Sequence, residues 1–447
     1  MRFPVKSISL AVASVIVVFG CGKPEAPPPP PKAEQPAAPP PKPTLTVKIG
    51  HSAPLTGPQA HLGKDNENGA RLAIEEANAK KLEIGGALVT FEMIPEDDQA
   101  DPKQGTTVAQ KLIDAKVNGV IGHLNSGTTI PASKLYADAG IPQISPSATN
   151  PKYTQQGFKT AYRVMANDEQ QGKVLGDYAT HQLAAKKIAI IDDRTAYGQG
   201  VADEFEKAAK AGGATIVARE FTNDKATDFA AILTKIKSKK PDIVMYGGMD
   251  AQAGPMAQQL KKLGIKSRML FADGGCTTEF HKLSGDAGEG HYCSLPGLPL
   301  DKMPGGPAFK EKYAKRFNVD IQLYAPYAYD AASVMIDAMQ RANSVEPAKY
   351  LEALPKTSLD GVTAKITFDE KGDVKDAAIT LYQAKGGKWE ALESIGGGAP
   401  APAQPAAMEG MGGMNMNEMM NADPKQMQEM MRQMQKMQES MPQKGSR

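Results

Sequence analysis

Short apolar runs alternate with stretches of helical periodicity from about residue 45 to residue 296. The runs have the length and β-branched content of buried strands, and the stretches between them place apolar residues three and four positions apart. The predicted strands are 45–50, 88–94, 117–121, 141–144, 162–164, 187–191, 215–221, 242–246 and 269–272. The predicted helices are 64–80, 102–115, 132–139, 168–183, 198–211, 227–239 and 251–263. This alternation predicts an α/β fold of mostly parallel sheets flanked by helices on both faces.

The alternation runs through two series, and these join near Asn167. Two such series predict two similar lobes with a cleft between them. After Leu295 the pattern changes to three helices and then three short strands. The helices are predicted at 307–317, 326–341 and 347–354, and the strands at 364–368, 378–383 and 389–393.

The composition of the 447-residue chain excludes some classes of function. The 52 basic residues are balanced by 50 acidic ones, so no excess of positive charge favours nucleic acid or another polyanion as a partner. No segment after the first 21 residues stays apolar for about 18 residues, so we expect no later membrane span.

The first 21 residues have the features of an export signal. Arg2 and Lys6 form the positive start, and the apolar run 8–20 is too short to span a bilayer comfortably. The sequence VFGC at 18–21 resembles a bacterial lipobox, in which the cysteine becomes the lipidated first residue. We therefore expect Cys21 to attach the protein to a membrane of the cell envelope, the alternative being an uncleaved anchor.

Two segments of biased composition flank the alternating region. Residues 22–43 are mostly proline, alanine and charge, which favours an extended, semi-rigid tether. Residues 396–447 begin with a Gly/Ala/Pro linker, and the last 40 residues hold 12 of the 22 methionines. One helical face would carry Met427, Met430, Met431, Met434 and Met441. Such a face could bind Cu(I), contact a partner or a second copy, or belong to a disordered or loosely helical tail.

Residues 116–150 are the unit best suited to a ligand. They read as strand–helix–strand, and small polar residues follow both strands, at 123–129 and 145–149. In open parallel sheets, ligands bind beyond the carboxyl ends of the strands. Hydroxyls and the N–H groups of a helix start suit a small anion such as a carboxylate. The unit contains no general base, nucleophile elbow or phosphate loop, so it predicts a binding site.

Besides Cys21 the chain has two cysteines, Cys276 and Cys293, with about 16 residues between them. In an exported protein this even pair predicts a disulfide. His281 and His291 lie between the two cysteines and raise a Cys₂His₂ zinc site as an alternative, although the spacing matches no common zinc finger.

A cluster of acidic residues follows the strand at 88–94. Asp97, Asp98 and Asp101 could act as an acid–base cluster, but their position before Pro102 also suits capping of the next helix.

Two further residues follow predicted strands of the second series. Tyr197, just before Gly198, could face the cleft or be structural. Asp273 is followed by glycines that would allow close approach to a ligand cation, or it could cap a helix predicted at 277–283.

Several longer motifs lie between residues 44 and 395. They are PLTGP at 54–58, DQADPKQ at 98–104, VIGHLNSGTTIPAS at 120–133, ISPSATNP at 144–151, YGQG at 197–200, YGG at 246–248 and DEKG at 369–372. With these motifs the chain resembles the Leu/Ile/Val-binding proteins, the soluble receptors of branched-chain amino acid ABC importers. The resemblance implies a two-lobed periplasmic binding protein of type I with three crossovers. Residues 44–167 and 297–374 would form one lobe, and residues 168–296 and 375–395 the other.

The resemblance also implies roles for the residues of the cleft. Ser126 would donate its hydroxyl and backbone N–H to the α-carboxylate of a bound amino acid. The carbonyl of Ser147 and the side chain of Thr149 would hold the α-ammonium and help with the carboxylate. Tyr197 would close from the second lobe, and Asp273 would pair with the ammonium, which needs such a partner when it is buried.

Some positions depart from the family pattern. Leu62 and Met249 stand where the family often has aromatic side chains that pack on the ligand, and both still suit an aliphatic ligand. Asn125 and Ala100 occupy the positions of a family disulfide, which is therefore absent. We include Leu62, Met249 and Asn125 among the expected ligand-binding residues.

These features predict a monomeric receptor in the periplasm or cell envelope that has no catalytic activity, cofactor or metal. It would close by a hinge on a small aliphatic, branched-chain amino acid and present it to an ABC permease of the branched-chain type. Its only attachment to the membrane would be the lipid. A sensor or regulatory subunit of the same fold, which the tether and tail favour, is an alternative, as is a receptor for another amino acid, an amide or urea.

Overall fold

The computed structural model describes residues 42–397, together with residues 13, 14, 20 and 22. The chain divides into two units, Met1–Lys42 and Pro43–Arg447, and the fold below is that of the second unit. The predicted lipidation at Cys21, almost all of the tether and the methionine-rich tail lie outside the described residues. Within the described part of the chain, no helix has the length and apolar character needed to cross a membrane.

The first part of this unit builds a six-stranded sheet. Its strands are β1 (Thr44–Ala53), β2 (Glu83–Ile84), β3 (Ala87–Asp97), β4 (Gly119–Gly122), β5 (Gln143–Ser145) and β6 (Ala161–Arg163). The helices between them are α1 (Ala60–Ala79), α2 (Pro102–Asp114), α3 (Ser126–Asp138) and α4 (Lys152–Gln155). The order across the sheet is β2-β3-β1-β4-β5-β6, and only β2 is antiparallel. Strands β4 and β5 are buried throughout, as expected for parallel strands covered on both faces.

The next part alternates helix and strand in the same way. Its helices are α5 (Asp168–Asp177), α6 (Ala196–Ala211), α7 (Ala230–Lys239), α8 (Asp250–Lys262) and α9 (Thr278–Ser284). Its strands are β7 (Lys187–Asp192), β8 (Thr215–Phe221), β9 (Ile243–Gly247), β10 (Arg268–Phe271) and β11 (Tyr292–Pro296). Helix α5 continues into a π-helical turn, Tyr178–Gln182, and short 3₁₀ turns lie at Asp273–Gly275 and Gly285–Gly288.

The last part of the chain packs a helix on the six-stranded sheet and adds two strands to a second sheet. Its elements are α10 (Gly306–Phe317), α11 (Ala325–Arg341), α12 (Pro347–Tyr350), the short hairpin β12 (Leu359–Asp360) and β13 (Lys365–Ile366), then β14 (Ile379–Lys385) and β15 (Lys388–Ile395). Two further 3₁₀ turns lie at Leu300–Lys302 and Leu354–Lys356. Helix α11 packs on α1, β4 and β5. Strands β14 and β15 complete a seven-stranded sheet of order β15-β14-β11-β10-β9-β7-β8.

We call the six-stranded sheet with α1–α4 and α10–α12 the first lobe, and the seven-stranded sheet with α5–α9 the second lobe. The chain passes between the lobes three times, after β6, after β11 and before β14. The two-lobed α/β fold predicted from the sequence is therefore confirmed. We propose that the lobe boundaries lie within these three crossovers, at 167/168, 296/297 and 374/375.

The first and third crossovers are tied together by Arg163, a fully buried residue at the end of β6. Its guanidinium donates to the carbonyl oxygens of Ala148 and Asn150, both at 2.9 Å, and to the carboxylate of Asp373. Asp373 also accepts a hydrogen bond of 3.1 Å from the amide of Asn167. One buried ion pair thus fixes both crossovers and the segment that follows β5.

Asp65, buried on α1, holds the start of α11 in place. Its carboxylate accepts hydrogen bonds of 2.7 to 2.9 Å from the backbone N–H groups of four consecutive residues, 322–325. The hydroxyl of Tyr313 donates a fifth bond of 3.1 Å. Because the first N–H groups of a helix lack partners within the helix, a carboxylate there stabilises and orients it.

Most predicted strands and helices are present, and the strands between residues 45 and 272 end within three residues of the prediction. Strand β11 was not predicted, because its Tyr-Cys-Ser sequence is not an apolar run, yet the structure places it between β10 and β14. The predicted strand 364–368 was wrong in length, since the strand covers only Lys365–Ile366 and Phe368 forms an isolated bridge with Val374. The predicted helix 347–354 was too long, since the α-helix ends at Tyr350 and a separate 3₁₀ turn, Leu354–Lys356, follows it.

In the structure, Cys276 and Cys293 are joined by a disulfide, with their Cα atoms 5.6 Å apart. The two histidines near them have other contacts: Nδ1 of His291 accepts the backbone N–H of Met269 at 3.1 Å, and His281 packs against the ring of Trp389. Among the described residues, no group of three or more potential ligands could hold a metal ion.

Candidate ligand-binding site

A small cavity with an empty volume of about 210 Å³ lies between the two lobes. The first lobe contributes residues that follow β4 and β5 or precede α11, and the second lobe contributes residues that follow β7, β9 and β10. These are Leu124, Asn125, Ser126, Ser147 and Tyr324 from the first lobe, and Tyr197, Met249 and Asp273 from the second. The cavity therefore lies beyond the carboxyl ends of strands from both sheets, where open α/β sheets bind ligands.

The first-lobe wall presents hydroxyls at the start of a helix. Ser126 is the first residue of α3, and its Oγ accepts the backbone N–H of Asn150 at 3.2 Å. Ser147 accepts a hydrogen bond of 3.1 Å from the side chain of Asn66. The positive end of the helix dipole and these hydroxyls favour an anionic group at this wall.

A buried polar network supports this wall from below. The carbonyl oxygen of His123 accepts hydrogen bonds from the hydroxyls of Ser145 at 2.9 Å and Thr129 at 3.1 Å. The imidazole of His123 lies 2.9 Å from the carboxylate of Asp98, which also accepts the Ser52 hydroxyl at 3.0 Å. Burial alone would raise the pKa of Asp98, but the hydrogen bond and charge of His123 hold it below its usual value.

The three acidic residues considered for catalysis each make a separate structural contact. Asp101 caps α2 and accepts the backbone N–H groups of residues 103 and 104, both at 2.9 Å. Asp97 accepts the backbone N–H of Leu55 at 2.8 Å and the Thr56 hydroxyl. Asp98 belongs to the network beneath the first-lobe wall.

Asp273 is the acidic group of the second-lobe wall, and it is buried. One oxygen of its carboxylate accepts hydrogen bonds from the side chains of Gln171 and Tyr197, both at 3.0 Å. The other oxygen accepts the hydroxyl of Tyr324 at 2.8 Å. Burial raises the pKa of Asp273, and these three hydrogen bonds partly oppose that rise. Asp273 does not cap α9, since that role is taken by Thr277.

Tyr197 reaches Asp273 because α6 begins close to β9. A Cβ atom on Gly198 would lie only 2.4 Å from the carbonyl oxygen of Gly247, so this close approach needs glycine. The hydroxyl of Tyr197 also accepts the backbone N–H of Gly274 at 2.8 Å. The tyrosine is thereby fixed between α6 and the turn that carries the acid.

The lobes contact each other directly around the cavity. Besides the bond from Tyr324 to Asp273, His61 Nε2 lies 2.9 Å from Asp250 Oδ2. The side chain of Asn150 donates to the carbonyl oxygen of Ala196 at 2.6 Å. A further bond joins Thr278 to Gln322 at 3.0 Å. The cleft is therefore closed in this structure.

Six of the eight residues expected at the ligand site line the cavity, and two do not. Leu62 is buried in the core of the first lobe, and Thr149 is buried behind the wall. Tyr324 lines the cavity but was missed by the sequence analysis. The sequence carried one signal for Tyr324, which lies two positions before Pro326. Proline is common in the first turn of a helix, so Tyr324 could have been placed at a helix start.

Comparison with known proteins agrees with this architecture. The family model described as periplasmic binding protein matches residues 46–388. The chain belongs to the periplasmic binding protein family. Membership of this family indicates a non-enzymatic, periplasmic receptor.

This periplasmic binding protein is similar to curated relatives over most of its length. It is 36% identical over 345 residues to the "Leu/Ile/Val-binding protein homolog 1" of Brucella abortus, covering 77% of this chain and 90% of the relative. It is 33% identical over 338 residues to the "Leucine-, isoleucine-, valine-, threonine-, and alanine-binding protein" of Pseudomonas aeruginosa, covering 76% and 90%.

This periplasmic binding protein is also similar to a solved structure of a binding protein with its ligand. The branched-chain amino acid transporter substrate-binding protein of Streptococcus pneumoniae, in complex with isoleucine, is 28% identical to this periplasmic binding protein. The TM-score is 0.71, and the match covers 79% of this chain and 100% of the other.

Proposed function

We propose that this protein is an extracytoplasmic receptor that closes on a small aliphatic, branched-chain amino acid and delivers it to an ABC importer. The proposal rests on one observation: two walls that favour groups of opposite charge face each other across one small cavity. The start of α3 with Ser126 favours a carboxylate, and Asp273 on the other wall favours an ammonium. A zwitterion of amino-acid size satisfies both walls.

The proposed roles follow from this arrangement. Ser126 receives the α-carboxylate, and the carbonyl of Ser147 accepts from the α-ammonium. Thr149 does not line the cavity in this closed form, so it is given no direct contact with the ligand. Met249 and Leu124 give the cavity its apolar surface, which suits an aliphatic side chain. The space between the two walls is small in this closed form, so a small ligand is favoured.

Binding and closure are the whole of the proposed reaction, with no covalent step. Tyr324 and Tyr197 approach Asp273 from different lobes, so a ligand held between the walls stabilises the closed form. An ABC permease of the branched-chain type would recognise that closed form and accept the ligand.

The test is a thermal-shift screen of the purified protein against the twenty amino acids, short amides and urea. A ligand at about 100 times its Kd adds about 2.7 kcal/mol to the free energy of unfolding, which gives a clear shift. We expect leucine, isoleucine or valine to raise the melting temperature of the wild-type protein and to leave that of the Asp273→Ala variant unchanged. The exposed Asp286→Ala is the matched control. Shifts with amides alone would overturn the amino-acid assignment, and no shift at all would favour the sensor.

We further propose that the protein is lipid-anchored through Cys21. The support is the short apolar run at 8–20, its positive start and the lipobox-like VFGC sequence. Cys21→Ser should lose its palmitate label and leave the membrane fraction. If the Cys21→Ser variant is labelled and membrane-bound to the same extent as the wild-type protein, the proposal is contradicted.

A further inference from the structure

The amino ends of the second-lobe strands carry a high density of lysines. Strands β7 to β11 run parallel, so these ends lie at the edge of the sheet opposite the cavity. The segments 186–187, 237–242 and 261–268, which lead into β7, β9 and β10, hold nine basic residues and one acidic residue. We call eight exposed lysines of these segments the basal patch: Lys186, Lys187, Lys237, Lys239, Lys240, Lys261, Lys262 and Lys266.

Backbone contacts bring the three segments of the basal patch together. Strand β9 pairs with both β7 and β10, so the turns that precede these strands are neighbours. Asp242 Oδ2 accepts the backbone N–H groups of Lys186 and Lys187, both at 2.8 Å. The ammonium of Lys237 donates to the carbonyl oxygen that ends α8 at 2.7 Å. A hollow between these turns is lined by Lys237, Lys240 and Lys266.

The protein does not neutralise the charge of the basal patch. Within the described part of the chain, none of its eight ammonium groups forms an ion pair. Lys237 and Lys261 donate only to backbone carbonyl oxygens. Lys210, at the end of the neighbouring helix α6, is by contrast paired with Glu206. Like charges that lie together without counter-charges repel one another, so the patch favours an anionic partner.

Stabilisation of helix ends explains only half of the basal patch. A lysine in the last turn of a helix interacts favourably with the helix dipole. This role fits the two lysines that end α7 and the two that end α8. The other four lie in the turns beyond the helices, and they are Lys186, Lys187, Lys240 and Lys266.

The first lobe provides a comparison, because its sheet is also mostly parallel. The segments before β3, β4, β5 and β6 hold four basic and three acidic residues, and α1 and α3 end without a basic residue. With Asp286 and Glu289 from the turn before β11 included, the second lobe has nine basic and three acidic residues at the same end. The excess of positive charge is therefore specific to the second lobe.

We propose that the basal patch binds the anionic headgroups of a phospholipid bilayer. The lysine ammonium is a compact charge on a flexible stem, which suits attraction to many headgroups without fixed geometry. Each lysine near an anionic membrane surface contributes about fivefold to affinity. The predicted lipid anchor would place the protein beside such a surface, and a tether of 22 residues in the polyproline conformation would reach about 70 Å.

This contact adds a second attachment to the membrane, whereas the sequence alone predicted the lipid as the only one. It also orients the receptor. Because the basal patch lies at the opposite end of the second lobe from the cavity, a bilayer bound there leaves the second-lobe wall uncovered. The inference goes beyond the proposed function and does not depend on which ligand the cavity binds.

The test is co-sedimentation of the chain from Gly22 onward with lipid vesicles. This chain retains the whole unit Pro43–Arg447, has no acyl group and has equal numbers of basic and acidic residues. We expect it to bind vesicles of phosphatidylglycerol and phosphatidylethanolamine, which are anionic, and not vesicles of phosphatidylcholine. Binding should be clear at about 0.1 M salt and lost at about 1 M, where the screening length falls to about 3 Å.

Three variants locate the contact on the protein. The patch variant carries Lys239→Gln, Lys240→Gln, Lys262→Gln and Lys266→Gln, and it should bind the anionic vesicles at least about tenfold more weakly. Arginine at the same four positions keeps the charge and should retain binding. The matched control removes four exposed lysines of the first lobe and should bind nearly as well as wild type; its changes are Lys116→Gln, Lys159→Gln, Lys310→Gln and Lys315→Gln.

Several results would overturn the inference. Equal binding to phosphatidylcholine vesicles would exclude an electrostatic contact, and an equal loss in the patch variant and its control would reduce the effect to net charge. A short DNA duplex that binds the patch more tightly than the anionic vesicles do would assign the patch to a soluble polyanion. Circular dichroism checks the fold of each variant. If the patch variant does not fold, its two halves at 239–240 and 262–266 are tested separately, and unchanged binding in both halves would also refute the contact.

Discussion

Replacing Asp65 by asparagine should destabilise the protein strongly, because one carboxylate serves five donors. Asparagine keeps one acceptor oxygen, which can retain the three N–H groups of residues 323–325 now bound to Oδ2. The amide NH₂ group then faces the N–H of Gln322 and the hydroxyl of Tyr313. The hydroxyl can rotate and accept, but the N–H cannot.

The expected loss can be worked from these contacts. One donor left without a partner costs about 1–3 kcal/mol, and the three retained bonds weaken because their acceptor is no longer charged. Relief from burying a charge offsets part of this, since burial already raises the pKa of Asp65. We therefore expect Asp65→Asn to lower the free energy of unfolding by about 2–4 kcal/mol.

Guanidinium unfolding followed by circular dichroism measures this change, with the exposed Asp286→Asn as the control. The same variant should bind leucine more weakly, because the start of α11 positions Tyr324 against Asp273. A loss of stability below about 1 kcal/mol would refute the assignment of Asp65 as the main anchor of this helix.

Two other contacts give sharp predictions. Burial lowers the pKa of His61, but the hydrogen bond and charge of Asp250 outweigh burial and raise that pKa. The contact between His61 and Asp250 therefore stabilises the closed form below about pH 6.5 and weakens as the pH rises through the raised pKa of His61. The ratio of leucine affinities of wild type and His61→Gln should therefore fall from about pH 5.5 to pH 8; a constant ratio would exclude the contact as a latch. Replacing Cys276 and Cys293 by serine should lower the free energy of unfolding by about 3 kcal/mol by the loop-closure estimate. Two free thiols in the native protein, counted by mass spectrometry without reductant, would contradict the bridge.

The features that could be predicted from the sequence are those encoded locally. The strands of both lobes are apolar runs, and the polar clusters after β4 and β5 mark where they end. Ser126 and Ser147 could be located at the cavity for that reason, since the carboxyl ends of parallel strands meet at one edge.

The features that escaped prediction depend on contacts between distant parts of the chain. Tyr324 faces the cavity because Asp65, 259 positions earlier, binds its backbone N–H. Strand β11 is stabilised by its neighbours β10 and β14 and not by its own sequence pattern.

The buried ion pair of Arg163 and Asp373, here called the clasp, has a practical consequence for the design of a fluorescent reporter of ligand binding. It binds the segment beside the cavity to the hinge, so a foreign domain inserted near residues 148–150 would disrupt ligand contacts. Lys375 and Asp376 lie just beyond the clasp and are exposed. A fluorescent domain inserted between them would turn with the hinge and leave every residue of the cavity wall in place.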